Sequence, residues 1–372
     1  MNHRKLCIGL DSFGCGHGMS GFGSYLLEFV RNIPQGDFEF CIFGHELDKY
    51  TYSSTSSNIT FKGINIKDNS TSESLWHKTK LNSFIRKNHF DAMLYTTGFR
   101  LLPLSFIVPS FLIVNDVPSN SSFISNLYTR HIIGKVRGII APSKYVKNEL
   151  LNFGVPSHKI NIIHSGVNQK IFKPMVQDTE IVLIQPFSIK RPYIIYASSL
   201  NSTRKAHIEL INAFNIFKEK TSYPHKLVIA GSWGDAANKI RSSVLTSKYS
   251  QDILLTGYFP HESLSKLYAN AELAIFPSRH EGSAVSVLEA MASGVPTACS
   301  QEGALKEIAE DASIYFDSTS PDDIARAIEC LIKEEKNEKM RENLVEKGLL
   351  CAQKYSWAES IKNTVEYIIS KL

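Results

Sequence analysis

Three stretches of the sequence bring together glycine, cation and carboxylate in patterns that could hold a charged ligand bearing hydroxyls. The first, Asp11-Ser-Phe-Gly-Cys-Gly-His-Gly-Met-Ser-Gly-Phe-Gly23, runs from an apolar segment into a helical pattern over Ser24 to Asn32. Glycine lets backbone approach a ligand closely, and a helix start presents free N–H groups, so this loop suits a phosphate or a sugar. A flexible turn without a ligand is the competing reading. The spacing of Gly14, Gly16 and Gly18 approaches that of a dinucleotide-binding turn, but no convincing ribose-binding acid follows the second strand, Glu46 being poorly placed. The second stretch, Asn201-Ser-Thr-Arg-Lys205, sets two cations before a helix over His207 to Glu219. Arg204 would supply a planar fork and Lys205 a point charge for a diphosphate. The alternative, a solvated pair, carries a small penalty, because cations are slightly unfavourable at a helix N-terminus. The third stretch, Pro277-Ser-Arg-His-Glu-Gly-Ser-Ala-Val-Ser-Val-Leu-Glu289, holds two carboxylates eight positions apart. On one helix such residues differ by about 80° in direction, so Glu281 fits better in a loop and Glu289 on a helix. The intervening Gly282 to Ser286, with Gly282, Ser283, Ala284 and Val285 the donor-binding candidates, would turn N–H groups toward an anion. Carboxylates beside an anion site repel a bare phosphate but accept hydrogen bonds from hydroxyls on either side of a diphosphate, which describes a nucleotide sugar.

Short apolar runs alternating with helical patterns are expected to position these loops, as βα units around parallel sheets. Strands are expected at Lys5–Leu10, Phe38–Phe43, Ala92–Tyr95, Ser110–Val114 and Gly138–Ala141, then at Tyr193–Ala197, Lys226–Ala230, Ile253–Thr256, Leu273–Pro277 and Val295–Ala298. The fold class is therefore α/β: two doubly wound Rossmann-like domains, residues 1–174 and 190–356; the end of the chain has apolar residues at helical spacing, and this last helix, about 357–372, is expected to pack back on the first domain. The boundary falls in Pro174–Pro192, where Ile181–Ile184 and Phe187–Ile189 are two further short-strand candidates. Thr51–Asn58, rich in Ser, Thr and Asn, reads as a loop. Open α/β sheets bind ligands at the carboxyl ends of their strands.

At 372 residues the chain has room for two full cores. Its net charge of +5 is unevenly divided: Met1 to Lys173 carries 19 basic and 11 acidic side chains (+8), and Pro174 to Leu372 carries 22 and 25 (−3). The halves are expected to face different partners. No apolar run approaches the roughly 20 residues a bilayer span requires, and no signal peptide is apparent, so the expected location is the cytosol. The 6 cysteines are scattered without metal-ligand spacing, which argues against a structural zinc site or a disulfide framework.

The third stretch resembles the E-x7-E motif of retaining glycosyltransferases with the GT-B fold, specifically glycosyltransferase family 4, and Leu288-Glu-Ala-Met-Ala-Ser-Gly-Val-Pro296 extends the match. Ser20-Gly-Phe-Gly-Ser-Tyr25 is similar to the family's first glycine loop and Ala141-Pro-Ser-Lys-Tyr-Val-Lys147 to its Ser-x-x-x-Lys turn. His164-Ser-Gly-Val-Asn168 with Phe172 and Pro174 is similar to the segment that closes its first domain. The shared order of these motifs carries the assignment. The resemblance implies that Glu289 binds the ribose hydroxyls, Glu281 a hydroxyl of the donor sugar, and Arg204 and Lys205 the departing diphosphate, the role a divalent metal fills in other transferases. No metal or other cofactor is expected. Gly257 and Tyr258 would face the base, and Gly21 and Gly23 would approach the diphosphate from the other domain across a cleft that closes for activity. Three departures stand out. Asn115-Asp116 replaces the family's His-Asp, Leu200 replaces an arginine, and Gly282-Ser283-Ala284 replaces Gly-Phe-Gly. Asn115 would still contact the donor, and Asp116 is either the nearest base or, equally, a helix cap or a structural hydrogen-bond acceptor.

Ser74–Asn88 sets Leu75, Trp76, Phe84 and Ile85 among Lys78, Lys80, Arg86 and Lys87, the pattern of an amphipathic helix resting on an anionic membrane or, equally, of a helix packed on the sheet with a solvated basic face. Trp76, Lys78, Lys80, Arg86 and Lys87 are the membrane-facing candidates. The leading expectation is a hexosyltransferase, with GDP-mannose the favoured donor and a glycan or lipid-linked saccharide of a surface polysaccharide as acceptor. It would work in the cytoplasm, at most peripherally bound to the membrane, and no nucleic-acid partner is expected. A catalytically silent nucleotide-sugar-binding subunit and a sugar-nucleotide epimerase or phosphorylase are the alternatives.

Overall fold

The computed structural model describes residues 4–53, 58–117, 131–175, 180–332 and 334–372. Of the loop expected over Thr51–Asn58, Thr51 and Tyr52 instead end a short helix, Asp48–Tyr52, and residues 54–57 lie outside the described residues, as do 176–179 of the expected boundary. The chain divides into two compact units, residues 1–165 with 357–372, and residues 166–356.

In the first unit, β1 (Leu6–Asp11), β2 (Phe38–His45), β3 (Ile59–Ile64), β4 (Ala92–Tyr95), β5 (Ser110–Ile113), β6 (Gly138–Ala141) and β7 (Ile160–Ile162) form one parallel sheet in the order β3-β2-β1-β4-β5-β6-β7. Ile8 and Leu10 of β1 and the whole of β4 are buried, as parallel strands covered on both faces require. The final helix, Trp357–Ser370, belongs to this unit, with Trp357 edge-on to Tyr25 at 5.5 Å and Tyr367 edge-on to Phe111 at 6.0 Å.

The second unit starts with an antiparallel hairpin, β8 (Ile181–Ile184) and β9 (Phe187–Lys190). Its parallel sheet contains β10 (Tyr193–Ala197), β11 (Lys226–Ala230), β12 (Ile253–Gly257), β13 (Leu273–Phe276), β14 (Thr297–Ser300) and β15 (Ser313–Phe316), in the order β12-β11-β10-β13-β14-β15. Residues 166–174 group with this unit, where Val167 N–H donates to Tyr355 O (3.1 Å) and the Phe172 ring packs 6.3 Å from Tyr268. Both sheets are doubly wound and reverse direction beside their first strand, at β1/β4 and at β10/β13, the switch points where α/β sheets open a crevice for ligands.

No helix among the described residues is long and apolar enough to cross a membrane. The cysteines are unpaired; all are buried except Cys330, which is exposed.

Candidate functional site

In the second unit the loops leaving the two switch-point strands converge. After β10, Ser202 Oγ accepts from Arg204 N–H (3.2 Å) and shapes a tight turn over Thr203–Lys205. After β13 comes the loop that carries Glu281. Lys205 Nζ meets Glu281 Oε2 at 2.6 Å, and Arg279 N–H donates to Arg204 O at 2.8 Å, so the basic loop and the acidic loop are fastened through both side chain and backbone. The Arg279 guanidinium turns the other way, to Glu209 (2.7 Å) and to Ser318. A third loop steadies Glu281 from behind: Ala304 N–H donates to its carbonyl (2.7 Å), and Gly303 has φ +66°, where any side chain would crowd the Glu281 backbone.

Glu281 lies in the loop and Glu289 on the helix Val285–Ala292. Ala284 opens that helix in the left-handed region (φ +50°) and, as the capping residue, makes no side-chain hydrogen bond to its first turn; a helix start of this kind suits an anion. Glu289 is buried, at 6% exposure. Its negative charge adds to burial in holding the Tyr268 hydroxyl well above its ordinary pKa. Burial, then Glu262 and Glu289, raises that of Tyr258. Tyr258 is half-exposed and follows Gly257, which ends β12 at φ +81°. Beside Gly257 stands Trp233, 57% exposed, an aromatic face suited to stacking a base. Sequence reasoning passed over Trp233 and Arg279; an exposed tryptophan between two glycines after a strand was the available signal for the former.

Gly21, Gly23, Asn115 and Asp116 belong to the first unit. Gly21 and Gly23 open the helix Gly21–Asn32, capped by Ser20 Oγ, which accepts from Gly23 N–H at 3.1 Å. Space around Gly21 is open, whereas a β-carbon at Gly23 would overlap the Cys15 carbonyl and the Gly18 backbone; Gly23 therefore has a packing role that its expected approach to a ligand did not include. Asn115 and Asp116 follow β5, Asn115 partly buried and Asp116 exposed.

The single amphipathic helix expected over Ser74–Asn88 is two helices, Ser70–Thr79 and Leu81–Lys87, joined at Lys80. Trp76 does not face outward. It packs against the core, with Phe13 at 5.3 Å, Phe84 at 5.6 Å and Phe43 at 5.9 Å, because burying an indole among aromatic rings is worth more than leaving it in water. Lys78, Lys80, Arg86 and Lys87 are exposed.

Two Rossmann-like domains, with paired carboxylates and a basic turn at the second switch point, define a glycosyltransferase of the GT-B class. A model described as "Glycosyltransferase Family 4" matches residues 19–170, and one described as "Glycosyl transferases group 1" matches residues 179–349. The chain belongs to this family, the group 1, family 4 glycosyltransferases. It is 28% identical to the O-antigen chain mannosyltransferase B of Escherichia coli over 46% of this chain and 44% of that protein. An uncharacterized glycosyltransferase of Methanocaldococcus jannaschii is 28% identical over 61% and 58% respectively. The chain thus spans about half the length of these curated relatives. Among solved structures, Anabaena HepE in complex with UDP-glucose shares the fold with a TM-score of 0.75 at 13% identity, over 98% of this chain and 99% of that one.

Proposed function

We propose that the chain is a retaining, metal-independent hexosyltransferase that moves a sugar from a nucleotide donor, GDP-mannose first among candidates, to a lipid-linked saccharide acceptor of a surface polysaccharide, in the cytoplasm or at the inner face of the membrane. The observation that carries the reading is the Lys205–Glu281 pair set beside the uncapped helix that bears Glu289. A diphosphate against that helix start would meet Arg204 and Lys205, leaving Glu289 for the ribose, Glu281 for the sugar, and Gly257, Tyr258 and Trp233 for the base. Names support both donor types: a relative is an O-antigen mannosyltransferase, and a fold neighbour was solved with UDP-glucose.

In the proposed reaction the bond from the anomeric carbon to the phosphate oxygen breaks and one to the acceptor oxygen forms on the same face. The acceptor proton passes to the departing phosphate oxygen, so no covalent enzyme intermediate is needed. Arg204 and Lys205 stabilise the charge as it develops on the leaving diphosphate. Incubating GDP-mannose and UDP-glucose separately with a lipid-linked acceptor, and determining the product anomer, tests this reading. Transfer with retention is expected from one donor, with a loss of roughly 100-fold or more in Glu289→Ala and Lys205→Ala. Equal activity in Glu289→Ala and wild type would end the site assignment, and an inverted product would end the mechanism.

A further inference from the structure

Away from the donor loops, titratable side chains gather at the carboxyl ends of β1, β2 and β3 in the first unit. One pair there is complete in itself. His77 Nδ1 donates to the Glu73 carbonyl (2.7 Å) and Nε2 to Asp11 Oδ2 (2.7 Å), which uses both ring nitrogens. His45, the last residue of β2, is placed differently. Its Nε2 faces two carboxylates, Glu73 Oε1 at 2.9 Å and Asp68 Oδ1 at 3.5 Å, and a single N–H satisfies only one of them well. Among the described residues no lysine or arginine pairs with Asp68 or Glu73, so positive charge at this spot comes from histidine or from a bound cation.

The three facing atoms lie within 4.8 Å of one another. Ligands about 2.0–2.1 Å from a tetrahedral ion sit roughly 3.3 Å apart, close to the two spacings from His45. The surroundings match the outer shell of a metal site. His17 Nε2 holds the second oxygen of Asp68 (2.8 Å), its Nδ1 is fixed on Asp48 Oδ1 (2.7 Å), and Ser12 Oγ donates to Asp48 Oδ2 (3.0 Å). Such a chain turns one carboxylate oxygen outward and locks it there. His45 and Glu73 form a buried floor, with side chains 9% and 10% exposed, while Asp68 at 61% leaves an entrance from solvent.

We propose that His45 Nε2, Asp68 Oδ1 and Glu73 Oε1 form a site for a divalent transition-metal ion, Zn²⁺ best among them, with water completing the coordination. One imidazole and two carboxylates balance a doubly charged ion, and the mixed nitrogen and oxygen set suits zinc. The ion would join the segments that follow β2 and β3 and, through His17, anchor the glycine-rich loop that leaves β1. Its role is to hold that loop, apart from the transfer chemistry proposed for the second unit.

The test is calorimetric titration of chelator-treated full-length chain with Zn²⁺, in a Cys330→Ser background to remove the exposed thiol, together with thermal unfolding. One equivalent and a rise in melting temperature are expected. Asp68→Asn changes an exposed side chain, and circular dichroism can check that it stays folded. It should weaken binding at least tenfold, and His17→Asn, which loosens the ligand carboxylate, by roughly 10–100-fold. Failure to bind Zn²⁺, or one-equivalent binding undiminished in Asp68→Asn, overturns the site, and neither result bears on the transferase reading.

Discussion

At the residue scale, two positions store or exchange energy in ways that can be measured. Ala284 carries a side chain at φ +50°, where a β-carbon costs on the order of 1–2 kcal/mol, and the proposed donor site would use only its backbone. Ala284→Gly should therefore raise stability in urea unfolding by up to about 1 kcal/mol, glycine's looser unfolded chain offsetting the rest. A drop in stability would show that the left-handed turn is not strained. His77 is the second. Burial pulls its pKa down, but the Asp11 charge and the two hydrogen bonds outweigh this and hold it above the ordinary 6.5. A raised folded pKa gives a stabilisation that is complete below about pH 6.5 and is lost as pH climbs through the folded value. The stability gap between wild type and His77→Gln should then be roughly 3 kcal/mol at mildly acidic pH and narrow as pH rises. A gap that widens with pH would mean that His77 is neutral in the native chain.

At the element scale, burial determines what could be read from the sequence. Most of the strands legible in the sequence are enclosed on both faces, such as β4 and β10, whose residues are all buried and appear as unbroken apolar runs; β12 is the edge strand that is legible as well, its Ile253-Leu-Leu run keeping it apolar. Three strands went unmarked, and each lies at a sheet edge: β3, β7 and β15. An edge strand has one neighbour and more exposure, so β3 alternates Ile59, Thr60, Phe61, Lys62 and loses the apolar signature. The hairpin at 181–190 shows the same alternation but was noticed because prolines frame it. The loops proposed to hold the donor are legible because Glu281 and Glu289 sit close together in sequence, and Lys205, the partner of Glu281, lies on a recognisable turn. The Asp11–His77 pair and the His17–Asp48–Asp68 chain were not, since residues 31 to 66 positions apart meet only once β1, β2 and β3 are paired in register.

At the scale of the whole molecule, the uneven charge of the sequence becomes a question of what the first half touches. The two helices over Ser70–Lys87 spend their apolar sides on the core: Leu81 and Ile85 are buried, and Trp76 and Phe84 pack against them, leaving Leu75 as the large apolar side chain in open water there. A helix pair with its hydrophobic face already used has little to insert into a bilayer. Any attraction to a membrane must then be electrostatic, with each exposed cation contributing on the order of 1 kcal/mol near an anionic surface and fading beyond a Debye length of about 8–10 Å. The chain should bind vesicles containing anionic lipid at low salt, release from them as salt approaches 0.5 M or so, and ignore neutral vesicles. Replacing Lys78, Lys80, Arg86 and Lys87 together by glutamine should abolish most of the low-salt binding. Sedimentation with the vesicles measures all of this. Binding that persists at high salt would require an inserted apolar surface that these helices do not offer. Binding undiminished by the four substitutions would move the contact elsewhere on the +8 half of the chain.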